Sequence, residues 1–123
     1  MSLNVNKLTI SEVRRLLSSK EASAVDICKA TLQQISAENP RNNSLITVTE
    51  DRALAQAAAV DALVAAGKPL PPLAAVPMSV KDVINIKGVR NTCGSRVLEN
   101  FVSPYTATAV ERIEADRKST RLN

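Results

Sequence analysis

Histidine is missing from all 123 residues of this chain, and so is tryptophan. Without histidine, neither a Ser-His-Asp triad nor a Cys-His pair can form, and a metal site would lack its commonest neutral ligand. A lysine is then the remaining candidate for a general base, provided that burial removes its ammonium group from water. A lysine in apolar surroundings is therefore the first residue to look for.

Aromatic residues are also scarce, since Phe101 and Tyr105 are the only two. The core must be built from Ala, Val, Leu and Ile, and we expect it to be thin. With so few side chains able to stack on bases, and no basic run, direct nucleic-acid binding is not indicated. Two cysteines, Cys28 and Cys93, lie far apart in the sequence, which favours reduced thiols over a disulfide framework.

Long hydrophobic runs are absent too. No segment approaches the roughly 18 apolar residues that span a bilayer, and the first residues, MSLNVNKL, lack the apolar region of a signal peptide. A hydrophobic content of 45% is typical of a globular chain rather than a disordered one. These features predict a soluble, cytoplasmic protein without a membrane partner.

The chain ends in an unusual octapeptide, DRKSTRLN, at positions 116–123. This string is the in-frame translation of a common sequencing-library adapter, so we expect it to be read-through that is not native. Without it, 13 basic and 11 acidic residues remain, and the formal charge falls from +4 to +2. The basic character of the chain therefore comes partly from this tail.

Helices are predicted in the first part of the chain. Thr9 with Glu12, and Ser23 with Asp26, have the spacing of capping boxes, which predicts one helix over about 10–17 and a second that stops before Pro40. Further along, the pattern predicts a strand over 44–49 and a helix over 50–66 that Gly67 ends. A second strand is predicted around position 81, followed by a turn at 87–88. A short helix over 95–100 and a helix from about 107 complete the prediction.

The predicted strand around position 81 places Lys81 in an apolar run that includes Val80 and Val83. A strand covered on both faces would strip water from the ammonium group and lower the pKa of the lysine. Alternation sends Lys81 and Asp82 to opposite faces, so we expect Asp82 to orient neighbouring loop backbone rather than to pair with the lysine. From these residues alone, the simpler interpretation is a lysine at a strand end whose ammonium reaches water.

Residues 73–112, LAAVPMSVKDVINIKGVRNTCGSRVLENFVSPYTATAVER, resemble the amidase signature family, and the resemblance extends over roughly 7–115. Within that family the likeness is strongest to the glutaminase component of tRNA-dependent amidotransferases. Two positions depart from the family pattern: Ala75 stands where a glycine is usual, and Thr106 where an aspartate is usual.

The resemblance implies an α/β fold, in which N-terminal helices are followed by the first strands of an incomplete amidase-signature mixed sheet. Residues 1–115 would form the N-terminal part of a single amidase domain. Because so few strands are supplied, we expect exposed sheet edges. The resemblance also makes Lys81 the catalytic base of a Ser-Ser-Lys arrangement. Both serines would lie downstream, in a Gly/Ser-rich segment absent from this chain, and Ser79 and Ser95 are not expected to replace them.

For the intact protein, the resemblance implies a carbon–nitrogen ligase that uses glutamine as amido donor and works with two partners, the amidotransferase subunits B and C. Ammonia from glutamine would pass to the larger partner, which uses ATP and Mg²⁺ to convert misacylated Glu-tRNA(Gln) to Gln-tRNA(Gln), while the small third protein braces the pair. No cofactor or metal is expected in this chain, and the fragment alone should be inactive. Two alternatives stay open: a stand-alone amidase acting on small amides, and a non-catalytic binding module built from the first two helices.

Two further features of the sequence have functional alternatives. Cys93 beside Gly94 is a possible nucleophile, but without histidine a structural thiol is the better interpretation. The run from Gly94 to Arg96 at a helix start has N–H groups that suit an anion, although most such turns simply cap a helix.

Overall fold

The computed structural model describes residues 3–117 of the chain. Four α-helices lie in this part, with two single-turn 3-10 helices at Val5–Lys7 and Arg96–Leu98. The α-helices are α1 (Ile10–Ser18), α2 (Ala24–Asn42), α3 (Glu50–Ala65) and α4 (Thr108–Arg117). Among these residues, no helix is both long and apolar enough to cross a membrane.

Both predicted capping boxes are present and set the starts of α1 and α2. Thr9 Oγ1 accepts from the Glu12 N–H at 3.2 Å, and the Glu12 carboxylate accepts from the Thr9 N–H at 2.7 Å. Ser23 and Asp26 make the equivalent reciprocal pair, with both distances at 3.0 Å. Each box satisfies two backbone donors that the first turn of a helix leaves without a partner.

The end of α2 differs from the prediction, because the helix continues through Pro40 to Asn42. A proline this close to the end removes only its own hydrogen bond, and the chain turns out at Asn43, which has φ +51°. The Asn39 side chain then holds the following segment, donating to the Leu45 carbonyl at 3.0 Å and accepting from its N–H at 2.8 Å. The contacts at the end of α2 thus outweigh the preference for stopping before proline.

The helix α3 ends close to its predicted position, with Gly67 just beyond it. Gly67 has φ +66°, and its N–H donates to the Val64 carbonyl at 3.1 Å, while the Lys68 N–H donates to the Leu63 carbonyl at 3.0 Å. This pair of bonds is a Schellman motif, which requires a residue in the left-handed region and therefore favours glycine.

The core is small and lies mainly between α1, α2 and α3. It contains no aromatic side chain among the described residues, as the composition predicted, and Ile27 is fully buried at its centre. One later residue, Ala74, which follows Pro71 and Pro72, completes it. The buried members are Val13, Leu17, Ala24, Ile27, Ala57, Val60 and Ala74.

The predicted strands are wrong for the part of the chain that is described. Neither 44–49 nor the segment around Lys81 forms a strand, and the only β-type pairing is an isolated antiparallel bridge between Arg90 and Val102. A strand needs a neighbour for its backbone hydrogen bonds, and here the Ile84 N–H turns back to the Lys81 carbonyl at 2.9 Å instead. The expected incomplete sheet and its exposed edges are therefore not present between residues 3 and 117.

The later helices agree more closely with the prediction. The short helix expected at 95–100 is a single turn, Arg96–Leu98, and the helix expected from about 107 is α4. Of the expected foreign tail, positions 118–123 lie outside the described residues. Asp116 belongs to α4, and its carbonyl accepts from the Leu73 N–H at 3.2 Å.

Candidate active site

A groove of about 1090 Å³ runs between α2, α3 and the segment 75–94. Apolar side chains from all three elements line most of it. Its polar lining includes Lys81, Asp82 and Arg52, together with the Cys93 and Gly94 loop. The structure therefore brings the predicted base to one surface with the aspartate and the glycine loop that the sequence had also singled out.

Lys81 lies at the first position of a turn, and its side chain is exposed. Within residues 3–117, its ammonium group makes no hydrogen bond or ion pair. The predicted burial of Lys81 is wrong for this part of the chain, because no sheet covers the segment that carries it. The role of Lys81 as catalytic base stays a prediction.

Asp82, the next residue, holds the loop that follows. Its carboxylate accepts from the Thr92 N–H at 2.8 Å, from the Thr92 hydroxyl, and from the Gly94 N–H at 3.4 Å. Its carbonyl accepts from the Cys93 N–H at 2.8 Å. Three consecutive backbone N–H groups thus converge on one residue, which confirms the prediction that Asp82 orients loop backbone beside the lysine.

These donors also fix the charge of Asp82. The hydroxyl and N–H of Thr92 lower the pKa of the carboxyl below its ordinary value, with smaller contributions from the Gly94 N–H and from the positive charge of Arg90. A carboxylate that is ionised and surrounded by donors cannot give up a proton, so Asp82 is unsuited to act as a general acid.

The loop that Asp82 holds is closed at its base by backbone hydrogen bonds. The Asn91 N–H donates to the Phe101 carbonyl at 3.0 Å, and the Ser103 N–H donates to the Val89 carbonyl at 3.1 Å. At its tip, Cys93 and Gly94 both lie in the left-handed region, with φ +50° and +67°. This pair of residues turns the chain sharply enough for the N–H groups of Thr92, Cys93 and Gly94 to point at Asp82.

A polar network beneath the loop was missed from the sequence. The buried Asn91 side chain donates to Asn85 Oδ1 at 2.8 Å, and Asn85 donates to the Tyr105 hydroxyl at 2.7 Å. The Ala107 N–H, at the start of α4, donates to the Asn85 carbonyl at 2.9 Å. Two asparagines at the two ends of the predicted turn at 87–88 were the available signal, since buried amides require partners.

The two departures from the family pattern have physical explanations here. Ala75 has φ +58°, a conformation that glycine adopts without strain, so the usual glycine suits this turn better. Thr106 Oγ1 accepts from the Lys87 N–H at 2.9 Å, and an aspartate oxygen would accept the same bond. Neither departure alters the contacts of Lys81 or Asp82.

The alternative candidates fare differently. The Cys93 thiol is exposed and contacts Asn91 Oδ1 at 3.6 Å, with no histidine to activate it. The Gly94 N–H is used by Asp82 and Thr92, and Ser95 Oγ accepts from the Val97 N–H at 3.2 Å, so this turn caps a helix. The anion-binding interpretation of the turn is therefore not supported.

An ion pair joins α3 and α4, and both of its residues line the groove. Arg52 on α3 contacts the Glu114 carboxylate on α4 at 2.5 Å, and Gln56 donates to the same oxygen at 3.2 Å. Glu114 is mostly buried, so this contact fixes α4 against α3. Between residues 3 and 117, no group of three or more acidic, histidine or cysteine side chains is placed to hold a metal ion.

Comparison with known proteins places this geometry in context. Residues 26–116 match the model of the family described as Amidase. Among curated proteins, the A subunit of the Koribacter versatilis glutamyl-tRNA(Gln) amidotransferase is 44% identical over 113 residues, which is 92% of this chain and 24% of that protein. The A subunit of the Nostoc punctiforme enzyme is 46% identical over 105 residues, covering 85% of this chain and 22% of that protein.

Solved structures give the same picture of the fold. A protein described in connection with a vestigial complex and the origins of an s-triazine catabolic enzyme has a TM-score of 0.85 at 32% identity, over 90% of this chain and 24% of that one. A bacterial aryl acylamidase of the amidase signature family has a TM-score of 0.83 at 24% identity, with the same coverage. The chain spans about a quarter of the length of the relatives that it matches.

Proposed function

This chain belongs to the amidase family, and we propose that it is the N-terminal part of the A subunit of a tRNA-dependent amidotransferase, the protein that hydrolyses glutamine. The observation that carries the proposal is the identity of 43–46% with proteins named as A subunits of glutamyl-tRNA(Gln) amidotransferases, over 85–93% of this chain. The activity belongs to the complete protein, in which this chain supplies one catalytic group.

The catalytic group is Lys81. With its amine neutral, it takes a proton through one serine, and a second serine then attacks the amide carbon of glutamine. The lysine returns the proton through the first serine to the leaving nitrogen, the carbon–nitrogen bond breaks, ammonia leaves, and an acyl-enzyme forms that water later hydrolyses. Both serines lie in the remainder of the protein. The exposed side chain of Lys81 on the groove, beside the loop held by Asp82, is consistent with a base that meets partners from outside residues 3–117.

The partners, subunits B and C, follow from the same proposal. Ammonia passes to the first of them, which uses ATP and Mg²⁺ to activate the glutamyl group on misacylated tRNA, and the second braces the complex. In this proposal, the contribution of this chain is to the release of ammonia.

The test uses a complete protein. Residues 8–115 of this chain replace the matching segment of the Koribacter versatilis relative, and release of glutamate from glutamine is measured in the assembled complex. We expect Lys81→Met to lower kcat by about 10²- to 10⁴-fold, the contribution of a general base. Lys87→Met is the matched control, because Lys87 is also an exposed lysine in a turn and only its backbone makes a described contact.

The outcomes separate the alternatives. The complete sequence of the source gene separates the A subunit from a stand-alone amidase, because the residues that distinguish the two lie downstream of this chain and the chimaera takes them from the Koribacter versatilis protein. If Lys81→Met leaves turnover as high as Lys87→Met does, Lys81 is not the base, and the non-catalytic helical module is favoured. The isolated 123-residue chain should show no glutaminase turnover, and a measurable rate would contradict its dependence on the missing serines.

Positions 116–123 are proposed to be adapter-derived. The source DNA, sequenced through the codon for Ala115 from a primer outside the library adapter, should continue into a Gly/Ser-rich segment that encodes two serines. A genuine stop codon after Asn123 would instead establish the octapeptide as native and exclude the family mechanism for this product.

A further inference from the structure

The segment that carries Lys81 has no regular secondary structure to fix it. Residues 76–81 belong to neither a helix nor a strand, and the Lys81 carbonyl is held only through the turn that ends at Ile84. A base in such a segment would sample several positions unless another contact limited the backbone. Productive proton transfer requires placement within a fraction of an ångström, and a displacement of about 1 Å costs about 10²-fold in rate.

Asp82 supplies the missing contact. Its main chain and side chain together accept from the N–H groups of Thr92, Cys93 and Gly94, and its carboxylate also accepts from the Thr92 hydroxyl. Thr92 is buried, with 5% of its surface exposed, so the contact is anchored to the interior and not to a free loop. The backbone of Asp82, and with it the peptide bond to Lys81, is therefore held against the buried Thr92.

The anchor itself is well supported. The loop base is closed by the bridge between Arg90 and Val102, and the buried Asn91 connects it to Asn85 in the chain just beyond the lysine turn. The two ends of the lysine turn thus contact the same loop, one through Asp82 and the other through Asn85. A change in the loop at Thr92 would be transmitted to the backbone of Lys81 by a single side chain.

The geometry points to Asp82 and Thr92 as positioning residues for Lys81, which hold the base at a fixed place on the groove without touching substrate. This inference rests on the proposed function. Loss of these contacts should lower kcat and leave substrate binding nearly unchanged. The reason is that the hydrogen bonds of Asp82 fix the position of the base and do not shape the rest of the groove.

Turnover in the chimaeric complex tests the inference with matched variants. Thr92→Val keeps the size of the buried side chain and removes only the hydroxyl, while Thr92→Ser keeps the hydroxyl. We expect Asp82→Asn and Thr92→Val to lower kcat about 10- to 100-fold with KM changed less than about threefold, and Thr92→Ser to retain near-normal kcat. Glu99→Gln, which removes an exposed negative charge near the loop, is the control for charge alone.

Several results would overturn the inference. Unchanged kcat in both Asp82→Asn and Thr92→Val would do so, as would a rise in KM at constant kcat, or a Thr92→Ser variant as impaired as Thr92→Val. Lys81→Met in the same complex separates the two proposals. If Lys81→Met retains turnover, the proposed function fails; if it abolishes turnover while Asp82→Asn leaves kcat unchanged, only the positioning role fails.

Amide hydrogen exchange in the 123-residue chain provides a readout that needs no catalysis. Asp82→Asn should increase the exchange rates of the Thr92, Cys93 and Gly94 amides at least about tenfold, while the Ile27 amide in the core exchanges as before. Unchanged protection of all three loop amides would show that Asp82 does not hold the loop, whatever the activity of the complex.

Discussion

The carboxylate of Asp61, on α3, lies 2.6 Å from the backbone N–H of Ala24, the first residue of α2. Its second oxygen accepts from the Val25 N–H at 3.1 Å. The side chain of one helix thus caps the start of its neighbour, in addition to the capping box that Ser23 and Asp26 provide locally. This contact joins residues that lie 37 positions apart, and it holds the start of α2 against α3.

Replacing Asp61 should therefore weaken the helix pair. Asp61→Ala leaves two partly buried N–H groups without acceptors, and we expect the free energy of unfolding to fall by about 1–2 kcal/mol. Asp61→Asn keeps one oxygen acceptor and should lose less. Urea unfolding followed by circular dichroism measures both variants, and an unchanged midpoint for Asp61→Ala would show that the tertiary cap adds nothing to the local one.

Ile27 should dominate the stability of this thin core. It is fully buried, whereas Ile46 is 55% exposed. We expect Ile27→Ala to cost about 3 kcal/mol, from lost burial and the cavity left behind, and Ile46→Ala to cost less than about 0.5 kcal/mol. The two variants remove the same atoms, so equal losses in chemical denaturation would contradict the described core.

The stability of the folded protein should depend on pH, because the pKa of the Asp82 carboxyl is lowered in the folded state. Because the folded state binds the proton more weakly than the unfolded chain, the clamp stabilises the protein above the ordinary carboxyl pKa of about 4. That contribution is lost as the pH falls through the lower folded-state value. Thr92→Val removes the hydroxyl that contributes most, so the Asp82 carboxyl should titrate closer to its ordinary value.

Carboxyl ¹³C NMR between about pH 2 and pH 6 measures that titration directly. Thr31→Val is a suitable control, since its hydroxyl bonds to the Ile27 carbonyl within α2 and has no contact with the loop. Identical Asp82 titration curves for the unsubstituted chain and Thr92→Val would contradict the assigned hydrogen bond.

The two thiols should differ in accessibility. Cys93 is exposed at the tip of its loop, whereas Cys28 is half-buried on α2. We expect a maleimide to modify Cys93 at least about tenfold faster than Cys28 in the folded chain, and both equally after unfolding. Peptide mass spectrometry over a time course distinguishes the sites, with Cys93→Ser as the matched variant. Faster labelling of Cys28 would place the loop differently from the structure.

Local signals in the sequence were sufficient for the helices. The Thr9 and Ser23 boxes and the glycine at position 67 act through bonds that span three to five residues, so the sequence around them determines the outcome. These helix features each depend on a short stretch of chain. The role of Asp82 was also predicted, but from the alternation of a strand that the structure does not contain around residue 81.

What could not be predicted depends on distant contacts. A strand near Lys81 requires a neighbouring strand, and the alternation of apolar residues does not reveal whether one is available. The continuation of α2 through Pro40 involves a nearer contact, between Asn39 and Leu45 just beyond the helix, which no capping pattern in the sequence indicates. The Asp61 cap has no local signal, since nothing near Asp61 in the sequence indicates a helix start far upstream.

The order in which the core residues occur along the chain has a consequence for synthesis. All of the buried core except Ala74 lies between Val13 and Val60, ahead of Lys81. On the ribosome, α1, α2 and α3 can therefore close around Ile27 before the lysine segment has left the exit tunnel. The lysine segment would then be added to a helical scaffold whose core is already largely in place.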